Sequence, residues 1–374
     1  MRCEVKKILF LIHDLGHGGA EKVLVNLVNN MDPKKFDVTV MTLFDVGVNR
    51  QFLTSHITYK SCFSKMPRGN SKMMKLLTPE QLHSWLIKDY YDIEVAYLEG
   101  PSARVVSGCK DKDTKLVCWI HIEQKTVERA VVSFRSKKEA EKCYNRFDQI
   151  ITVSETVKSD FTSLLSIRSP IRVLYNTNET KKIIELSTEA VEDGLFKPDA
   201  FNIIGVGKLL KSKGFDRLLR IQKRLLMEGY NVNVFVLGEG PEFSALEREA
   251  KENGMENKFT LLGYQTNPYK YVAKSDLFVC ASFAEGFSTA ATEALVVGTP
   301  VCTVEVSGMR EMLGDNKYGL ITENDDEALY QGIKKILDND ELLEYYRRQA
   351  IIRGKSFSTE KTVKAVEDML LSLQ

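Results

Sequence analysis

A chain of 374 residues, 43% hydrophobic and 28% charged, is long enough for two cores and too ordinary in composition for a disordered or fibrous protein. Seven cysteines at scattered positions, with no C-x-x-C pair, exclude a disulfide framework and a zinc site by spacing, so reduced, mostly buried thiols are expected and no metal or cofactor. The formal charge is +1, and no nucleic-acid partner is expected.

The elements begin with an apolar run, Ile8–Ile12, that stops at His13-Asp14 and is too short for a signal-peptide core. Elsewhere no stretch approaches the ~18 apolar residues of a membrane span, so a cytoplasmic location is expected. β-Branched runs then alternate with helical spacing, the pattern of parallel sheets covered on both faces. Strands are predicted at Ile8–His13, Phe36–Leu43, Ile93–Leu98, Lys115–His121, Gln149–Ser154 and Ile171–Asn176, with a helix over Ala20–Met31. The polar stretch Lys181–Lys197, with Gly194 and Pro198, reads as the boundary, giving domains 1–190 and 191–374. A second series follows: Phe201–Gly207, Val232–Leu237, Phe259–Leu262, Leu277–Ser282 and Pro300–Val306, with helices near Phe215–Glu228, Pro241–Asn253, Thr289–Val297 and Asp326–Asp338. The expected fold is α/β, two doubly wound Rossmann-like domains facing a cleft, with the last helix packing back on the first domain.

Charge is uneven along the chain. Residues 1–180 hold 27 Lys+Arg against 21 Asp+Glu and the rest 25 against 30, leaving +6 and −5. Residues 46–79 carry Arg50, Lys60, Lys65, Arg68, Lys72 and Lys75 with no carboxylate, interleaved with Met66, Met73, Met74, Leu76 and Leu77. That stretch reads either as a solvated loop or as an interfacial segment that docks on an anionic membrane.

Ligands of doubly wound sheets sit at the carboxyl ends of strands, and the conspicuous motifs fall there. The first strand runs into Gly16-His17-Gly18-Gly19-Ala20-Glu21, where glycines let amides approach an anion at a helix N-terminus. Its spacing is not G-x-G-x-x-G, which disfavours a nicotinamide dinucleotide, and Glu21 also reads as compensation of the helix dipole. His121 ends the strand Lys115–His121, where an imidazole would point into the cleft. The second domain opens with Gly205-Val206-Gly207-Lys208, then Lys211-Ser212-Lys213-Gly214; these ammonium groups can clamp a diphosphate. Gly238-Glu239-Gly240-Pro241 reads as structural. Most informative is Ala284-Glu285-Gly286-Phe287-Ser288-Thr289, followed by Glu293: Ser288 suits an N-cap, so Glu285 lies just outside a helix and Glu293 one turn inside it. Two acceptor-only carboxylates can grip sugar or ribose hydroxyls, while amides near Phe287 and Ser288 receive phosphate. Asp111-Lys112-Asp113 has the D-x-D form of a metal site but precedes a strand, at the wrong sheet edge.

These residues resemble the family 4 retaining glycosyltransferases, which have the GT-B fold. The resemblance is carried by Gly207-Lys208 with Lys213-Gly214, Gly238-Glu239-Gly240-Pro241, Leu262-Gly263, Asn267-Pro268-Tyr269 and Glu285-x7-Glu293 before Gly298-Thr299-Pro300-Val301. In the first half it rests on Gly18-Gly19-Ala20-Glu21, His121 and Val153-Ser154-Glu155. It implies a metal-independent hexosyltransferase whose substrate is a nucleotide sugar, a uridine diphosphate (UDP) sugar by preference. The implied acceptor is a saccharide or lipid-linked saccharide of bacterial surface polysaccharide or glycolipid assembly. By that resemblance Gly18 and Gly19 approach the donor diphosphate, and Lys208 and Lys213 neutralise it as it leaves. Glu293 holds the ribose, Glu285 the transferred sugar, His121 contacts that sugar, and Gly263 and Tyr264 border the base. Two departures stand out: Lys208 replaces the usual Arg, and Asn176-Thr177-Asn178 replaces the usual proline-asparagine-glycine turn. A non-catalytic sugar-nucleotide-binding partner and an epimerase on the same fold are the alternative readings.

Overall fold

The computed structural model describes residues 5–16, 18–65, 74–191 and 194–373. The chain divides into two compact units, Met1–Thr177 with Thr359–Gln374, and Asn178–Ser358.

The first unit is built on a parallel sheet of β1 (Lys6–Ile12), β2 (Phe36–Phe44), β3 (Thr58–Phe63), β4 (Ile93–Ala96), β5 (Lys115–Ile120), β6 (Gln149–Thr152) and β7 (Ile171–Val173). They lie in the order β3-β2-β1-β4-β5-β6-β7. Ile8 to Ile12 are all fully buried, because helices cover both faces and a parallel strand then reads as a continuous apolar run. The helix Gly19–Asn30 turns Val23, Leu24, Leu27 and Val28 inward, as its spacing predicts, and each such side chain contributes about 1.5–3 kcal/mol by leaving water. The terminal helix Thr359–Leu371 belongs to this unit: Glu367 accepts from the Asp32 N–H at 2.7 Å and from Lys35 Nζ at 3.1 Å.

The second unit holds β8 (Phe201–Val206), β9 (Val232–Leu237), β10 (Phe259–Gly263), β11 (Leu277–Cys280), β12 (Val301–Val304) and β13 (Leu320–Thr322). Its order is β10-β9-β8-β11-β12-β13, again parallel throughout. In each unit the strand order reverses once, between β1 and β4 and between β8 and β11, and such switch points open a crevice at the strands' carboxyl ends.

Three expectations change. First, the edge strands β3 and β13 are absent from the sequence reading: β3 is nowhere fully buried, so it lacks the apolar signature of its neighbours. Second, the stretch read as a polar boundary contains the helix Thr180–Ser187, which buries Ile183 in the second unit, so the change of unit falls at Thr177/Asn178 rather than at 190/191. Third, residues 46–79 are not simply a loop. They include the turn Val48–Phe52, β3 and the start of the helix Pro79–Leu86, while Met66, Arg68, Lys72 and Met73 lie outside the described residues. Two of the bases there have acidic partners beyond the stretch, Arg50 with Asp45 at 2.9 Å and Lys60 with Asp89 at 2.5 Å, which weakens the local positive field.

Cys109, Cys118, Cys143, Cys280 and Cys302 are buried free thiols and Cys62 is partly so. Cys109 joins His83 and Glu94 in a cluster whose ligand atoms lie within 4.8 Å of one another, a grouping drawn from three separate elements and invisible to spacing. His83 Nε2 lies 2.8 Å from Glu94. Burial opposes charge on this imidazole, but the Cys109 sulfur and the Glu94 carboxylate outweigh it and raise the pKa to about 9. At neutral pH the group is therefore an imidazolium–carboxylate pair that ties the helix Pro79–Leu86 to β4. No helix among the described residues is long and apolar enough to cross a membrane.

Candidate active site

In the second unit the site grows from the ends of β8 and β11. The loop after β8 passes through Gly207 and exposed Lys208 into the turn Lys211–Lys213, then Gly214 at φ +68°. A Cβ at Gly214 would stand 2.1 Å from the Ala281 carbonyl oxygen, so only glycine lets this loop press against the end of β11. The Phe283 N–H donates to the Ser212 carbonyl at 2.8 Å and locks the two loops together. That contact places Lys213 Nζ 2.6 Å from Glu285 Oε1, and Ser282 Oγ donates to the same oxygen at 2.7 Å. Burial opposes the charge on Lys213, yet the adjacent carboxylate raises its pKa above the ordinary value, so it remains an ammonium.

Further support comes from behind. Arg217 is 2% exposed; it donates to Asp326 at 2.7 Å, to Asn324 at 2.9 Å and to the Ala281 carbonyl at 3.3 Å, and the exposed Phe283 ring lies over its guanidinium at 4.0 Å. Thus the backbone leading to Glu285 is held by a buried, ion-paired cation. Gly286 and Phe287 are buried, and the loop after β12 closes on them: a Cβ at Gly308 would meet the Gly286 oxygen at 2.8 Å. Ser288 caps the helix Thr289–Val297 by accepting from the Ala291 N–H, as its position predicts, so its hydroxyl acts on the helix. Glu293 lies one turn in, 5% exposed, with the Tyr269 hydroxyl 3.5 Å away.

The remaining sequence candidates of this unit sort by exposure. Gly263, at φ +66°, ends β10 and accepts from the Gly238 N–H at 2.8 Å, and Tyr264 beside it is 42% exposed. Gly238 packs against the loop after β8, where a Cβ would lie 2.0 Å from the Gly207 oxygen, and this accounts for its structural reading.

In the first unit the loop after β1 leads to Gly18, the N-cap of the helix Gly19–Asn30. Asp14 accepts from the Gly16 N–H at 2.8 Å, and the buried Asn49 amide donates to the Gly16 carbonyl. Glu21 folds back over Gly18, its carboxylate 2.0 Å from where a Cβ would stand, so it does sit against the dipole of the first turn. His121, just past β5, is not exposed at the sheet edge. The ring is 6% exposed, packed against Tyr97 at 4.8 Å and near Trp119 at 6.4 Å between ring centres. Its Nε2 has no hydrogen-bond partner among the described residues, and burial lowers its pKa to about 3, which makes it a neutral hydrogen-bonding group. Asp111 and Asp113 precede β5, away from these strand ends.

Sequence reasoning missed Ser282, Arg217, Asp14 and Asn49. Arg217 and Asn49 act through partners distant in the chain, 109 and 33 residues away, while Ser282 and Asp14 act on neighbours within three residues, in loops just past strand ends where sequence spacing gives no signal.

The family model described as Glycosyl transferases group 1 matches residues 187–353, and that described as Glycosyltransferase Family 4 matches residues 17–181. A Campylobacter jejuni protein, N-acetylgalactosamine-N,N'-diacetylbacillosaminyl-diphospho-undecaprenol 4-alpha-N-acetylgalactosaminyltransferase, is 31% identical over 98% of this chain and 100% of its own. The crystal structure of Anabaena HepE in complex with UDP matches with a TM-score of 0.78 at 19% identity, covering 98% of this chain and 100% of that one. Sucrose-phosphate synthase from Thermosynechococcus elongatus matches with a TM-score of 0.79 at 16% identity, covering 98% and 99%. The chain belongs to glycosyltransferase family 4 and has the GT-B fold. It is a glycosyltransferase enzyme.

Proposed function

We propose that this enzyme moves a sugar from a UDP-sugar to a hydroxyl of a lipid-linked saccharide, with retention at the anomeric carbon, in the assembly of a bacterial surface glycan. The observation that carries this reading is the Lys213–Glu285–Ser282 cluster at the β8/β11 switch point, an ammonium and a carboxylate held 2.6 Å apart where a ligand is expected. An ammonium has three donors, so Lys213 can keep Glu285 and still reach a phosphate oxygen. Exposed Lys208, which has no ion-pair partner among the described residues, supplies the second positive charge. Two ammonium groups would then stabilise the diphosphate as it leaves, with no metal in the step. Glu285 holds the transferred sugar, Glu293 the ribose, and neutral His121 a sugar hydroxyl. Gly18 and Gly19 approach the diphosphate, while Gly207, Gly263, Tyr264 and the amides of Gly286, Phe287 and Ser288 complete donor binding. In the reaction the bond from anomeric carbon to phosphate oxygen breaks, the acceptor oxygen bonds to that carbon on the same face, and its proton passes to the departing phosphate.

Support for the nucleotide and acceptor comes from the UDP bound to HepE and from the diphospho-undecaprenol substrate named for the Campylobacter relative. The basic stretch 46–79 is the membrane-facing surface in this reading, and the enzyme works at the inner face of the membrane. Thermal-shift titration with UDP, ADP and GDP and a set of UDP-sugars tests the donor. A ligand at a hundredfold excess over its Kd stabilises by about 2.7 kcal/mol, so a specific rise with UDP and one UDP-sugar is expected, and equal response to all three nucleotides would refute the assignment.

A further inference from the structure

The loop His121–Lys125 connects β5 to the short helix Val127–Ala130, and carboxylates on two other elements hold it. Glu99 Oε2 accepts from the His121 N–H at 2.9 Å, and its Oε1 accepts from the Gln124 side-chain amide at 3.3 Å. The same amide donates to the Ile122 carbonyl at 3.0 Å, closing the loop on itself. From the helix Glu155–Leu164, Asp160 accepts from the Gln124 N–H at 2.6 Å and from the Lys125 N–H at 3.1 Å. Lys125 takes a left-handed conformation at φ +63°, unusual for a residue with a side chain and tolerated where neighbours over-determine it.

Glu99 stands just past β4, beside the switch point, on the segment that also carries Tyr97. The Tyr97 ring packs against the His121 ring while Glu99 holds the His121 backbone, so one strand end fixes both halves of this residue. Gly100, at φ +80°, turns the chain away immediately afterwards, and its N–H donates to the Tyr144 hydroxyl at 3.3 Å. A part-buried carboxylate is costly to desolvate unless its acceptors are used, and here both oxygens are engaged by one loop.

On the reading of His121 as a sugar contact, we infer that Glu99 is the positioning residue for that contact, setting the place of the imidazole through the backbone N–H of His121. It touches no substrate. Displacement of a contact by about 1 Å costs on the order of 100-fold in rate, which sets the scale of the expected effect.

The test is a double-mutant cycle on UDP release from UDP-N-acetylgalactosamine and UDP-glucose, with Kd for UDP as the measure of an intact donor site. His121→Ala and Glu99→Ala should each lower turnover about 100-fold, and the double variant should fall no more than about twofold below either. Glu99→Gln keeps one acceptor oxygen and should lose about tenfold. Multiplying losses, or a wild-type rate in Glu99→Ala, would overturn the proposal. A wild-type rate in His121→Ala would instead remove the sugar-contact reading on which it rests. Independently of any donor, the ring resonances of ¹⁵N-labelled His121 should shift and broaden in Glu99→Gln; unchanged resonances would contradict the positioning role alone.

Discussion

The two switch points use their charged residues differently. At the ends of β1, β4 and β5, carboxylates act chiefly on backbone: Asp14 on Gly16, with its other oxygen on the His13 ring, Glu99 on His121 and on the Gln124 side-chain amide, Asp160 on Gln124 and Lys125. At the ends of β8 and β11, charge meets charge, with Lys213 on Glu285 and Arg217 on Asp326 beneath them. The first arrangement fixes the shape of loops and leaves a neutral imidazole. The second sets the Lys213 ammonium beside the Glu285 carboxylate, 2.6 Å apart. At the two switch points, the holding of backbone and the pairing of charges are thus largely separated.

This contrast can be broken most sharply at Glu285. Glu285→Gln keeps the size of the side chain but removes the counter-charge of Lys213, and kcat/KM for donor should fall about 10³-fold, by steady-state UDP release. A loss below about tenfold would mean that charge pairing at β11 is structural. Glu293→Gln should act on binding: the KM for donor rises about tenfold with turnover little changed, because the ribose is remote from the reacting bond. An unchanged KM would remove Glu293 from the ribose.

The smallest effect concerns stability and belongs to the first unit. The folded-state pKa of His83 is raised to about 9, so the stability it contributes is complete below its unfolded value of about 6.5 and lost as pH rises through about 9. The contribution is on the order of 3 kcal/mol, since both partners are largely buried. Denaturant unfolding between pH 6 and 10 should show that loss in the wild type and not in His83→Gln. An identical pH dependence in both would show that the pair carries no such linkage.

Much of the frame was legible because buried parallel strands write themselves as apolar runs and because local chemistry marks helix starts. Ser288 was readable as an N-cap, and with it the placement of Glu285 outside the helix and Glu293 within it. Edge strands were not: β3 reads Thr58-Tyr59-Lys60-Ser61-Cys62-Phe63, neither a continuous apolar run nor a clean alternation, at a half-exposed border, and β13 is only three residues long. The helix Thr180–Ser187 hid in a polar stretch, since a single buried face needs few apolar residues. Hardest to see were pairings across the chain. Lys213 and Glu285 are 72 residues apart and meet because Gly214 can lie against Ala281, a contact that no spacing rule encodes. The family resemblance named both residues, but only the structure shows that they share a hydrogen bond.

The most direct test of the account is the rate of UDP release by exhaustively chelated enzyme, wild type beside Lys213→Ala and Lys208→Ala. With ammonium groups as the counter-charge to the diphosphate, chelation should leave the wild-type rate unchanged, while the Lys213 variant loses about 10²–10³-fold and the Lys208 variant less. Loss of wild-type turnover on chelation, restored by manganese or magnesium, would contradict it.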